Sequence, residues 1–166
     1  PYDAALLTES REKAEFFRAS LSAAKISQPV SLAHWVNGEM SALLNERNLD
    51  FAASPVAPRD FARLHDRVQD STLSSKAAKE VLHAMTAGEG DPDAIIERKG
   101  LRQISDSGAL EEAVREALAA NPKLVEDYRA GKEKAFNALV GQVMKATKGK
   151  GNPQEVSRIL RELLAS

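Results

Sequence analysis

Proline stands repeatedly behind a helix-capping residue in this chain, and glycine stands where the following apolar run stops. Asp91-Pro92, Asn121-Pro122 and Asn152-Pro153 each place an N-cap side chain before a proline at the first helical position. Gly88, Gly100, Gly131 and Gly149 follow amphipathic runs at the position where a helix closes left-handed. Between these marks the apolar residues recur at three- and four-residue steps, and no segment sustains the two-residue alternation of a half-buried strand. Such punctuation forces short helices separated by tight turns. The expected fold class is therefore all-α.

The expected helices follow from the same marks. Thr8 is a plausible cap for a helix through about Ala24. Pro29 starts a second, on which Leu32, Trp35, Val36, Leu43 and Leu44 form a core stripe, with Gly38 admitting a neighbouring helix. A connection with two prolines, Phe51 to Pro58, precedes a helix carrying Phe61, Leu64 and Val68. Ser74 or Ser75 caps the next, with Ala78, Val81, Leu82 and Met85 inside. Residues 101–106 are not periodic and read as a connector, which divides a helical domain, 1–104, from a small helical-bundle tail domain, 105–166. In the tail, Asp106 or Ser107 caps a helix bearing Leu110, Val114 and Leu118, and a longer helix runs from about Lys132 to Thr147.

Composition narrows the chemistry. The 166 residues include no cysteine, which removes disulfides and thiolate metal sites and fits a reducing compartment. No apolar run approaches the ~20 residues that span a bilayer, so no membrane partner is expected. The chain opens at Pro1 with no Met, and is expected to be a fragment of something longer. Its three histidines, His34, His65 and His83, have no metal-ligand spacing and read as surface or helix-flank residues. Lys148-Gly149-Lys150-Gly151 lacks the ending of a phosphate-binding loop and follows no strand. No catalytic residue and no metal site is expected.

Charge is distributed unevenly. Net charge is −1, yet residues 121–166 hold nine Lys/Arg against five acids, leaving the first 120 residues acidic. A basic half suits a polyanion. At 100° per residue, Phe136, Leu139, Val140, Val143 and Thr147 fall on one side of the long helix, as a core stripe. Lys134, Ala138, Gly141, Lys145 and Lys148 fall on the other. Gly141 inside a helix costs about 1 kcal/mol relative to Ala, and one use of that cost is close approach of another backbone. Lys132, Lys134, Gly141, Lys145, Lys148, Lys150 and Asn152 are the candidate residues for contact with a nucleic-acid backbone, with free N–H groups behind Asn152-Pro153 as an added anion site. Two plainer readings stand beside this one: solvated lysines, and a Gly141 that admits a helix of the same domain. No aromatic residue is interleaved with the lysines, so backbone or shape recognition is the better form of the nucleic-acid hypothesis.

The same residues carry a resemblance. Ala33-His34-Trp35-Val36-Asn37-Gly38-Glu39 with Leu43-Leu44-Asn45-Glu46, Ser54-Pro55-Val56, Lys76-Ala77-Ala78-Lys79-Glu80-Val81, Gly100-Leu101-Arg102-Gln103-Ile104-Ser105-Asp106 and Asn121-Pro122-Lys123 occur in order along the chain. Together they resemble the C-terminal part of the B subunit of the tRNA-dependent amidotransferases, the GatB/YqeY family. The chain departs from that pattern at Phe136-Asn137 and at Gly151, where Ala is common and Gly is expected to loosen the loop. The resemblance implies a helical domain and a tail domain directed at tRNA in a cytoplasmic enzyme. That enzyme converts Glu-tRNA(Gln) to Gln-tRNA(Gln), or Asp-tRNA(Asn) to Asn-tRNA(Asn), with ammonia from glutamine. It implies that ATP and Mg²⁺ act in an N-terminal domain outside this chain, that glutaminase chemistry belongs to the A subunit, and that the A and C subunits are partners. It implies no catalysis by the fragment itself. A protein-interaction module with an acidic docking domain is the alternative. A free-standing YqeY-like protein is a third reading, disfavoured by the missing Met and the Trp35 helix.

Overall fold

A computed structural model describes residues 2–165. The described residues are α-helical with no strand, apart from one isolated bridge between Ile104 and Gly151. The chain divides after Leu101 into two compact units.

The first unit holds α1 (Tyr2–Leu7), α2 (Arg11–Ala23), α3 (Pro29–Trp35), a π-helical turn (Val36–Met40), α4 (Ser41–Glu46), α5 (Pro58–Gln69), α6 (Ser75–Thr86) and α7 (Pro92–Lys99). Its core gathers Phe16, Leu32, Val36, Met40, Leu44, Phe61, Leu64, Leu82 and Ile95. Phe16 packs edge-on against Phe51 and Phe61, with ring centroids 5.3 and 5.4 Å away, the offset that aromatic quadrupoles prefer. Trp35 is half-buried against this core. The π turn widens the helix where the Ser41 amide and hydroxyl both donate to the Val36 carbonyl, the hydroxyl at 2.8 Å.

Three expectations change here. Thr8 does not cap α2. Its hydroxyl donates back to the carbonyls of Ala4 and Ala5, both at 3.0 Å, so it closes α1, while Ser10 accepts from Lys13 N and caps α2. Gly38 admits no helix, because a Cβ built there meets nothing within 4 Å. His65 is not at the surface. It is 1% exposed on α5, and its Nε2 lies 3.0 Å from Ser31 Oγ. Burial pushes its pKa below the ordinary value, with the Asp66 charge acting the other way.

The second unit packs α8 (Ser107–Ala120), α9 (Pro122–Arg129), α10 (Glu133–Ala146) and α11 (Pro153–Ala165) around Leu110, Val114, Leu139, Val143, Val156 and Leu160. Asp106 caps α8 by accepting from Gly108 N at 2.8 Å. Asn121 does not cap α9 with its side chain. Its Nδ2 donates at 2.8 Å to Ala117 O and closes α8 instead. Gly100 and Gly131 take the left-handed conformation that ends a helix, at φ 58° and 87°. Residues around Ile104 are more than a connector. Ile104 N donates to Lys150 O at 2.6 Å and Ile104 O accepts from Asn152 N at 2.9 Å, pinning this strand-like residue to the turn before α11.

Candidate nucleic-acid interface

The lysine face is carried by α10, which packs on α8, α9 and α11 through Ala135, Leu139 and Val143. That packing leaves the opposite side to solvent, and Lys134, Ala138, Gly141 and Lys145 are exposed there; α10 ends at Ala146, so Lys148 is exposed in the turn that follows and not on the helix face expected for it. At 1.5 Å rise per residue the row from Lys134 to Lys145 runs about 16 Å. A Cβ at Gly141 would meet nothing within 4 Å, so no helix of the unit exploits the missing side chain. Among the described residues none of Lys134, Lys145, Lys148 and Lys150 has an ion-pair partner.

Lys132 differs from the others. Its ammonium donates to Asp127 Oδ1 at 2.8 Å, and this hydrogen bond holds the Asp127 carboxyl below its ordinary pKa. It thus has a carboxylate partner within the unit, which the other candidate lysines lack among the described residues. Asn152 is a correction to the expected surface. It is 9% exposed, and its Oδ1 accepts from Gln154 N at 3.0 Å and Glu155 N at 3.5 Å. It is the N-cap of α11, and the N–H groups expected to be free for an anion are already satisfied by it.

The turn between α10 and α11 fixes the end of the lysine row. Thr147 Oγ1 donates to Val143 O at 3.0 Å and accepts from Gly151 N at 3.2 Å. Gly149 N closes the helix on Met144 O at 2.7 Å, with Gly149 at φ 75°. Lys148 is left-handed as well, at φ 54°, a conformation that costs a side-chain-bearing residue about 1 kcal/mol. Gly151 does not loosen this loop. It is buried, and a Cβ there would stand 2.9 Å from Thr147 Oγ1 and 3.4 Å from Leu110 Cδ2 and Val156 Cγ2. The absent side chain lets the turn close on the core.

The GatB domain model matches residues 15–164. The chain belongs to the GatB domain family. Relatives of this GatB domain include the B subunit of aspartyl/glutamyl-tRNA(Asn/Gln) amidotransferase from Methylobacillus flagellatus, 56% identical over 99% of this chain and 34% of the relative. The protein of the same name from Bordetella pertussis is 53% identical over 98% of this chain and 34% of its own length. That of Chromobacterium violaceum is 52% identical, with 99% and 34% covered. The chain thus spans about a third of the length of these relatives.

One cation of this GatB domain escaped the sequence reading. Arg161 sits with its Cζ 5.3 Å from the centre of the Phe136 ring, which in turn lies 5.7 Å from the Tyr128 ring. Arg158, one turn earlier, takes both nearby carboxylates, Glu155 at 2.9 Å and Glu162 at 2.7 Å, which raises its own pKa. The aromatic face is what positions Arg161. Among the described residues no group of three His, Cys, Asp or Glu is placed to hold a metal ion, and no helix is long and apolar enough to cross a membrane.

Proposed function

We propose that this chain is the tRNA-engaging C-terminal part of an amidotransferase B subunit. In this reading it grips the tRNA body by its phosphates with Lys134, Lys145 and Lys148, assisted by Lys150. Gly141 leaves room for the sugar-phosphate chain between them. The observation that carries the reading is the open row on α10: exposed lysines without carboxylate partners among the described residues, flanking a glycine that no intramolecular neighbour uses. The relatives' name, which includes tRNA(Asn/Gln), supports the choice of RNA among polyanions. Phosphate contacts position the protein without reading sequence, so the tail would bind tRNA bodies with little discrimination of bases. The reading leaves ATP, Mg²⁺ and the amide-transfer chemistry to other parts of a cytoplasmic complex with A and C subunits, and gives this chain no catalytic residue.

Labelled tRNA titrated with the wild type and with Lys145→Ala/Lys148→Ala over 50–200 mM salt tests this. Removing two phosphate contacts is expected to lower the slope of log K against log salt by about 1.4–1.8. Unchanged affinity and slope would overturn the lysine-row reading; binding of partner subunits with no binding of tRNA would make docking on the acidic first unit the better account.

A further inference from the structure

The acidic first unit contains a cationic cleft. Arg59, Arg63 and Arg67 follow one another at four-residue steps on α5, about 6 Å apart along the axis. They line a cleft of about 580 Å³ together with Lys25, Asp66, Asp70, Asp93, Ala23 and Ile26. The three carboxylates are engaged. Asp66 is 6% exposed and accepts from the backbone amides of Lys25 and Ile26, at 2.9 and 3.0 Å. Asp93 holds Arg67 in a two-pronged pair at 2.8 and 3.3 Å, and Asp70 takes the remaining edge of Arg67 at 3.2 Å. Arg67 is thereby a fixed wall of the cleft.

The other cations are held loosely. Arg63 approaches Asp91 Oδ1 and Asp93 Oδ2 only to 3.8 Å, and that Asp91 oxygen already accepts from Asp93 N and Ala94 N at 3.0 and 3.2 Å. Arg59 is 77% exposed on its side chain and stands 3.8 Å from its neighbour Asp60. The Lys25 ammonium has no ion-pair partner among the described residues. A guanidinium without a hydrogen-bonding carboxylate is suited to a phosphate, whose oxygens match its fork. Ala23 and Ile26 are the apolar lining, with no aromatic ring to stack a base. We propose that Lys25, Arg59 and Arg63 form a second phosphate-binding site, taking the phosphodiester backbone of RNA in the first unit. The site rests on the reading that the chain binds tRNA, but not on the lysine row.

The test is Arg59→Ala/Arg63→Ala in the full chain, titrated with labelled tRNA across 50–200 mM salt beside the Lys145→Ala/Lys148→Ala variant. Both changes leave the Arg67 pairing intact. The expected result is roughly tenfold weaker binding near 100 mM salt and a slope reduced by about 1.4–1.8. Arg59→Lys/Arg63→Lys is expected to restore the slope, since charge is kept. In the wild type, tRNA is expected to slow hydrogen exchange in the first turns of α5, a measurement that needs no variant. Unchanged affinity and slope in the alanine pair, with an effect in the lysine variant, would overturn the cleft and spare the α10 reading. An effect only in the arginine pair would sink the lysine row and support the cleft. Binding of inorganic phosphate at the cleft without any tRNA effect of the arginine pair would also overturn the proposal.

Discussion

Gly151→Ala puts the turn between α10 and α11 to a quantitative test. The added methyl would stand 2.9 Å from Thr147 Oγ1, closer than carbon and oxygen tolerate, so the hydroxyl must rotate away. Rotation removes the acceptor of Gly151 N and the donor to Val143 O. Leaving a buried N–H unsatisfied costs about 1–3 kcal/mol. Against this, replacing glycine reduces the entropy of the unfolded chain and stabilises by about 0.4–1 kcal/mol, because Gly151 is not among the residues with positive φ. The net expectation is a loss of about 1 kcal/mol. In a Thr147→Ala background the collision and the hydrogen bond are both gone. The same Gly151→Ala change then becomes neutral or stabilising by about 0.5 kcal/mol, with Leu110 Cδ2 and Val156 Cγ2 at 3.4 Å as the remaining close neighbours. The coupling is about 1–1.5 kcal/mol. Native-state hydrogen exchange at the amides of Val143 and Val156 reads it, since their protection reports the second unit independently of the first. Equal effects of Gly151→Ala in the two backgrounds would refute the reasoning.

Asn152→Ala removes the cap of α11 and is expected to cost about 1–2 kcal/mol in the same exchange measurement. It should leave the salt slope of tRNA binding unchanged; a reduced slope would return Asn152 to the binding surface. Lys148→Gly should do the reverse, stabilising the unit by about 1 kcal/mol through relief of its left-handed backbone while lowering the salt slope by about 0.7–0.9. A gain in stability with an unchanged slope would show that Lys148 touches no phosphate. His65, neutral and buried with its pKa below the ordinary 6.5, contributes stability that is fully present above about pH 6.5. That stability is lost as pH falls toward the folded-state value, because the unfolded chain takes up the proton first. Urea midpoints at about pH 5 and pH 7.5 should therefore differ more in wild type than in His65→Gln; identical differences would contradict the assignment.

What the sequence made legible was local. The caps at Asp91 and Asp106 and the left-handed stops at Gly100 and Gly131 depend on residues within one helical turn, and the structure uses them as read. The lysine row on α10 was legible for the same reason, since exposure on one helix follows from the position of its apolar stripe. What was missed depends on competition between neighbours. Thr8 and Asn121 have the chemistry of N-caps but close the preceding helix, because a side chain between two helices can bond either way. His65 shares its face of α5 with Phe61, Ala62 and Val68, so its internal position was legible from that stripe; what was not legible is its partner, Ser31, which comes from another helix. The arginine cleft was masked by Asp60, Asp66, Asp70 and Asp93, which count as neutralising charge in any tally. The structure shows Asp66 spent on backbone amides rather than on a cation.

The two cationic sites also differ in how rigidly they present charge, and that difference should appear in binding. The α10 lysines sit on flexible stems whose ordering against a phosphate costs side-chain entropy. The end of the row is nevertheless fixed by a backbone lattice, in which Lys150 O accepts from Ile104 N at 2.6 Å and Gly149 N donates to Met144 O at 2.7 Å. In the cleft, Arg67 is clamped by Asp93 and Asp70, and this pairing raises its pKa further above the ordinary arginine value. A clamped Arg67 cannot swing to neutralise an incoming phosphate, so Arg63 and Arg59 must meet it. Freeing the clamp with Asp93→Asn is therefore expected to strengthen tRNA binding by removing one competing carboxylate from Arg63 and Arg67 together. The gain should shrink in the Arg59→Ala/Arg63→Ala background, where Arg67 alone is left to use the freed space, and vanish when Arg67→Ala is added. A gain undiminished by all three changes would mean that the carboxylate acts only through the long-range field, and the local account of the cleft would fail.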